Sequence, residues 1–304
     1  MSSPRVDPAR IREHVERLRD RHPPVDLDSV DYTIHDPEAV RARFAGPLEY
    51  MARVEMEVER NVLELAVLLP GVSETDRLFY ADVWGPQEEH HGILLDTLGQ
   101  RLGMPPTEPD LAAMSPRIRV LGALAHLPMA HEVIRLMYYL TGAATEKSAM
   151  LAYQSMSEGL GQMGESSIKR TLIDAIKVQE PGHFAFYRLS AHEMVQAGAL
   201  APWQLQLAKF IRSRSFGLVG AKTREQRAGY GSVLVELGLE ADIERHVRDI
   251  TRLETSLLQA SEQGLAVPGY ALAAFREAAG LYREKALREG RVVGEDRVPL
   301  AVAA

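Results

Sequence analysis

Apolar residues recur along this chain at intervals of three and four, and almost nowhere in strict alternation. That is the period of a helix with one buried face, so the pattern predicts an all-α protein. The clearest stripe is Met51, Val54, Val58, Val62, Leu65 and Leu69. It marks a helix over 47–69, which Pro70-Gly71 ends. Ser73 reads as the N-cap of the next helix, over 74–103, which stops near Gly103 and Pro105-Pro106. Further helices are expected over 8–22, 116–139 and 141–160, from a Ser166 cap to about Gln196, and over 202–216, 222–237, 239–263 and 268–288. Pro23-Pro24 makes an arm after the first helix, and the tail 290–304 looks frayed. No linker demands a second domain. One domain over 1–304 is therefore expected, with a core at about 47–197 and accessory helices at about 200–288.

The most apolar window, Val120 to Ala144, carries His126, His131, Glu132 and Arg135, which makes it a buried helix and not a membrane span. The N-terminus is polar from Ser2 onward, so no leader is expected and the cytoplasm is the expected compartment. Gly159-Leu160-Gly161-Gln162-Met163-Gly164 has the spacing of a dinucleotide-binding loop. That reading needs a preceding strand, and here the preceding segment is helical, so the segment is read as a helix connection.

Composition narrows the chemistry. The 304 residues include no cysteine, which excludes disulfides, thiolate zinc, iron–sulfur clusters and cysteine nucleophiles. Any metal must be held by carboxylate and imidazole, a donor set suited to iron or manganese. A net charge of −7 argues against nucleic acid as a partner.

Two Glu-x-x-His pairs stand out: Glu88-Glu89-His90-His91 and Glu180-Pro181-Gly182-His183. Residues i and i+3 share a helix face, so each pair can reach one ion. A weak internal repeat suggests two further carboxylates. Val58-Glu59-Arg60-Asn61-Val62-Leu63 parallels Thr145-Glu146-Lys147-Ser148-Ala149-Met150, and each copy precedes a Glu-x-x-His by a turn and part of a helix. The set is Glu59, Glu88, His91, Glu146, Glu180 and His183, the complement of a dinuclear carboxylate site in a helical bundle. The first member is open among three residues. At 100° per residue, Glu55 and Glu59 flank the buried stripe and Glu57 points away; the repeat favours Glu59. His90 lies about 100° from His91 and faces outward or makes a supporting bond. His126 and His131 have no carboxylate at matching spacing and are read as structural; His14, His22, His35, His192 and His246 belong to no constellation.

These segments resemble the acyl-carrier-protein desaturases, soluble di-iron enzymes of the ferritin-like superfamily. Trp84-Gly85-Pro86-Gln87-Glu88-Glu89-His90-His91-Gly92-Ile93-Leu94-Leu95 is similar to their W-T-A-E-E-N-R-H-G-D-L-L. Thr145-Glu146-Lys147-Ser148-Ala149 resembles Q-E-R-A-T, and Gln179-Glu180-Pro181-Gly182-His183-Phe184-Ala185-Phe186-Tyr187 resembles D-E-K-R-H-E-T-A-Y. The similarity spans about 47–220. It implies a ferritin-like four-helix bundle core with additional helices at both ends, two iron ions with manganese as the alternative, and O2 as co-substrate. Because no flavin or nicotinamide motif is present, electrons would come from a separate ferredoxin or reductase. In that family a basic helix receives the acidic carrier protein; Lys209, Arg212 and Arg214 stand at a similar offset. Three departures exist: Ala149 replaces the family's threonine, the first-half E-E-A-L-P-x-Y segment has no clean counterpart, and Pro181-Gly182 suggests a kink or bulge inside a ligand motif.

The expected function is thus an O2-activating di-iron oxidoreductase acting on a carrier-bound acyl chain, with a di-iron oxygenase or N-oxygenase of a small natural-product intermediate as the alternative. Iron storage, a metal-free binding protein and the radical subunit of ribonucleotide reductase are minor readings; the last would want a tyrosine where Leu95 stands. Monomer and homodimer are not distinguished.

Overall fold

The computed structural model describes residues 7–62, 72–111, 116–214, 220–259 and 269–293, and no strand occurs among them. Helix α1 (Pro8–Arg21) starts on the Asp7 side chain, which accepts from Ala9 N. Helix α2 is Pro37–Met56, capped by Asp36. Helix α3 (Glu74–Phe79) opens on a reciprocal capping box between Ser73 and Asp76. A π-turn, Tyr80–Trp84, leads from it into α4 (Gly85–Arg101). Then come α5 (Pro116–Ala125) and the long α6 (Pro128–Gln162). The next stretch is broken: α7 (Ser166–Ile168), a second π-turn at Lys169–Ile173, α8 (Asp174–Lys177) and α9 (Glu180–Gln196). The C-terminal part holds α10 (Pro202–Arg212), α11 (Arg224–Glu236), a short 3₁₀ turn at Leu239–Asp242, α12 (Ile243–Leu257) and α13 (Gly269–Arg288).

Several boundaries differ from those the pattern predicts, each for a local reason. Helix α2 begins at Pro37, because Asp36 caps it and proline is tolerated in a first turn; Pro47 is carried inside. It ends early, at Met56, where Glu57 leaves the helical region with ψ near 2°. Helical backbone resumes over 58–62, and the rest of the expected 47–69 lies outside the described residues. The expected break near residue 140 is absent, since α6 runs unbroken to Gln162. Helix α7 is preceded by Glu165 and not by a Ser166 cap. The Glu165 carboxylate is fully buried and accepts from the backbone N–H of His35 and Asp36, tying this turn to the start of α2. The glycine-rich segment forms the last turn of α6 and its exit, with Gly164 in the left-handed region at φ +79°.

Helix α2 packs along α4, and α6 along α9; α11 covers α2, and α13 covers α11. Small residues set the close approaches. A Cβ on Gly92 of α4 would stand 2.5 Å from Met56 Cγ and 2.8 Å from Met56 N. A Cβ on Gly142 of α6 would stand 2.5 Å from the Tyr187 ring.

Among the described residues the apolar interior comes in three pieces, of which one joins α11, α12 and α13 and the other two lie mainly among the remaining helices. Of these two, one gathers Val58, Trp84, Ala143 and Phe186 with Phe79, Tyr139 and Tyr187. The other gathers Ala52, Leu94, Ala152 and Ile176 with Phe44, Leu98 and Tyr153. Helix α6 passes from one cluster into the other; α2 with the turn after it, the π-turn with α4, and α8 with α9 do the same as continuous segments, and the crossing point on each carries the acidic residues described next.

Candidate metal centre

Glu55 lies between Ala52 and Val58; Glu88 and His91 lie between Trp84 and Leu94. Glu146 lies between Ala143 and Ala152, and Glu180 and His183 between Ile176 and Phe186. All six are buried, His91 and His183 completely. They form two overlapping groups. Glu88, Glu146, Glu180 and His183 each offer a ligand atom within 4.8 Å of the others; Glu55, Glu88 and His91 do the same. Glu88 belongs to both groups, and Glu180 Oε1 also comes within 3.3 Å of His91 Nδ1. The helices thus place two carboxylates centrally, with one Glu and one His on either side.

Five of the six residues expected to cluster do so. Glu59 does not: it is exposed, and Glu55, one turn earlier, takes the inward place. The turn at Glu57 separates the two, so the stripe does not continue in register past Met56. Glu57 points away from the cluster but is buried, held by Arg53, Arg60 and the N–H of Asp110. Pro181 and Gly182 do not kink a helix. They fall in the first turn of α9, where a missing amide hydrogen leaves no bond unmade. Gly182 lets α1 approach, since a Cβ there would stand 2.5 Å from Leu18 Cδ2, and its carbonyl oxygen lies 2.9 Å from His14 Nε2.

Two glutamines that pattern reasoning passed over orient the imidazoles. His91 Nε2 lies 2.7 Å from Gln179 Oε1, and His183 Nε2 lies 2.6 Å from Gln87 Oε1. The other end of each amide donates to the backbone of the arm after α1: Gln87 Nε2 to His22 O at 2.5 Å, Gln179 Nε2 to Pro23 O at 2.6 Å. A carbonyl can only accept, so it fixes which end of each amide faces outward. The amide oxygen then faces the ring, and the ring must carry a proton on Nε2. Nδ1 is the nitrogen that faces the carboxylates in both rings, and in the neutral ring it presents a lone pair. The support is crossed, because the glutamine before one Glu-x-x-His serves the histidine of the other. The signal was available: Gln immediately precedes Glu in both motifs. His90 Nδ1 lies 2.8 Å from Val25 O, a third tie to the same arm.

The electrostatics ask for a cation. Glu88 Oε1, Glu180 Oε1, His91 Nδ1 and His183 Nδ1 are buried and make no hydrogen bond, although His183 Nδ1 stands 3.0 Å from Glu88 Oε1. Burial pushes the Glu88 carboxyl well above the usual carboxylate range, and Glu55 beside it pushes the same way. Burial raises Glu180 as well. His91 is lowered to about 4 by burial. Burial also lowers His183, but Glu146, Glu180 and Glu88 together raise it well above its usual value. Such unbonded atoms converging from α4 and α9, faced by the carboxylates of Glu55 on α2 and Glu146 on α6, form a donor set that fits a metal cation. Tyr153, fully buried, donates to Glu55 Oε1 at 2.7 Å and holds that carboxylate in place.

Glu55, Glu88, Glu146 and Glu180 also face a cavity of about 420 Å³. Its walls come from α2, α4, α6, α11 and α12 and are mainly apolar, including Met51, Val54, Val58, Trp84, Val233 and Ile243. Ala149 lies on this wall. Among the polar wall residues, Ser148 lies 3.0 Å from His246 Nε2.

The three basic residues of the carrier-docking expectation do not form one outward patch. Arg212 is buried on the cavity side, donating to Glu254 and, at 3.3 Å, to Thr141 Oγ1. Lys209 is half-buried, and Arg214 is stacked at 4.0 Å on the exposed ring of Phe210. Glu254 of α12 is itself buried, and its carboxylate pairs with the Arg212 charge on the inner side of α10. His126 is exposed, and His131 pairs only with its neighbour Glu132 at 3.8 Å.

Comparison of the chain with protein-family models, with curated proteins and with solved structures finds no match.

Proposed function

We propose that this protein is an O2-activating di-iron oxidoreductase with a ferritin-like four-helix bundle core. The observation that supports it is the layer of four carboxylates and two tautomer-fixed imidazoles, six side chains from four helices, opening onto an apolar chamber. Glu55 and His91 would hold one ion, Glu146 and His183 the other, with Glu88 and Glu180 between them. Iron bound there would supply the reduction of O2 and the oxidation of a substrate C–H or N–H bond, with electrons from an external donor. The protein's own part is positional. The crossed glutamines hold the Nε2 proton of both rings and so aim Nδ1 inward, and Tyr153 holds Glu55. The apolar walls keep water from the reacting bond and admit an apolar substrate.

Of the two substrate readings, the small-molecule oxygenase gains support over the carrier-bound acyl chain. Arg212, central to a carrier-docking patch, is turned in against Glu254. The test is anaerobic Fe(II) loading, then single-turnover exposure to O2 with mass spectrometry of candidate substrates. Two irons per chain and an oxidised product are expected. A stoichiometry near zero after loading would overturn the metal reading, and turnover of acyl-carrier substrates alone would restore the carrier reading.

A further inference from the structure

Among the described residues, the exposed large apolar side chains are concentrated on one part of the surface. Helix α10 exposes Trp203, Leu207 and Phe210, spaced i, i+4 and i+7 and therefore on one face. Leu124 near the end of α5, Leu127 in the following turn and Met129 at the start of α6 are exposed as well. The two groups adjoin, since Gln204 of α10 donates to the Met129 carbonyl at 2.8 Å. Isolated exposed leucines are ordinary, but two neighbouring helical segments presenting such residues together form a patch that needs an occupant.

Charge is segregated in the same two segments. The protein carries 42 acidic residues, yet none falls between Asp110 and Glu132 or between Glu193 and Glu225. Those intervals hold Arg117, Arg119, Lys209, Arg212, Arg214, Lys222 and Arg224. Arg212 is committed inward and Lys209 is half-buried on a flank of the helix, while Arg214 lies over Phe210, so a cationic head borders the exposed rings. Tryptophan, phenylalanine and leucine on one face of a helix, bordered by Arg with no carboxylate, match the chemistry of a bilayer surface carrying anionic lipid. A second copy fits worse: an isologous dimer through this face would bring two copies of Arg214 into one interface with no carboxylate of α10 to pair them. Among the described residues no helix is long and apolar enough to cross a membrane, so attachment would be at the surface.

We propose that the face formed by α10 and the α5–α6 turn is a peripheral membrane-binding surface for anionic lipid. The chain reports on this itself. It has two tryptophans; Trp84 is buried at 7% exposure and Trp203 is 51% exposed, so a shift in emission reports Trp203. The protein is titrated with phosphatidylcholine vesicles and with vesicles about one-third phosphatidylglycerol; Arg214 at the surface predicts roughly fivefold or greater tightening on the anionic vesicles. Co-sedimentation and a blue shift of Trp203 are expected there, weakened by salt. The Leu207→Glu/Phe210→Glu double variant changes two exposed positions and should keep the wild-type melting temperature while losing sedimentation. Absence of binding to anionic vesicles overturns the proposal, as does equal binding by the double variant. Self-association in light scattering that the double variant abolishes, with no vesicle binding, would assign the face to a second copy instead. Binding only to an acidic protein would likewise overturn it. None of these readouts depends on metal or turnover.

Discussion

Gln179→Leu separates the two tasks of a single amide. In the wild type that side chain accepts from His91 Nε2 at 2.7 Å and donates to Pro23 O at 2.6 Å, and it is almost fully buried. Leucine fills a similar volume but makes neither bond. The two losses are unequal. Pro23 is exposed, so its carbonyl can turn to water. His91 is completely buried, so its Nε2–H is left without a partner. A stranded buried donor costs about 1–3 kcal/mol, and this one bond should dominate the change. Urea unfolding of the metal-free protein measures it, with the slope of the transition unchanged. Losing the support of one ligand imidazole should also weaken metal binding by about 10–100-fold. The crossing gives the sharper check. In a His91→Ala background the stranded donor no longer exists, so Gln179→Leu should cost little; in a His183→Ala background it should cost its full amount. Equal costs in both backgrounds would refute the crossed arrangement, and no measurable cost in the wild type would refute the orienting role.

Glu55→Gln should reduce iron loading below two per chain while Glu59→Ala leaves it unchanged, measured by metal analysis after anaerobic reconstitution; the reverse result would return Glu59 to the site. Gly92→Ala sets a methyl against the Met56 backbone beside His91, so overpacking should destabilise the protein by about 1–3 kcal/mol in chemical denaturation, and a neutral result would mean α2 can slide freely on α4. His246 is lowered from its ordinary value to about 4, by burial first and Lys147 second. Its contribution to stability is therefore present above about pH 6.5 and lost as pH falls through about 4. His246→Gln should flatten the acid limb of the stability profile there by up to about 3 kcal/mol, and an unchanged limb would show that His246 does not carry it.

How much of this was legible in the chain depends on what each feature requires. Helical periodicity and the two Glu-x-x-His pairs are local: three residues fix which face a side chain shares, so Glu88, His91, Glu180 and His183 could be paired before any packing was known. Glu146 followed from the repeat. Glu55 did not, because choosing between two carboxylates one turn apart needs the break at Glu57, whose side chain is held by Arg60 nearby and by Asp110 far along the chain. Arg212 shows the same limit. A run of cations reads as a solvated face until Glu254, on another helix, supplies a buried partner. The glutamines fall between these cases: their repeat is visible, but their role needs the arm at His22 and Pro23 to be brought beside them.

The layered interior explains why the polar cluster does not act as a plain defect. Four carboxylates in a single apolar core would repel one another and lie far from water. Here each of the four segments changes from one apolar cluster to the other at its acidic turn, so the charges lie between two separate hydrophobic clusters. Phe79 stacked on Phe186 at 3.6 Å closes the layer on one side, and Tyr153 closes it on the other. Stability can then come from the two clusters while the layer between them stays poised for a cation. The arm after α1 completes the arrangement from outside. It donates no ligand, yet its carbonyls at His22 and Pro23 decide which nitrogen of each ring is free. A short irregular segment thereby sets the tautomer of two residues buried in the middle of a helical protein.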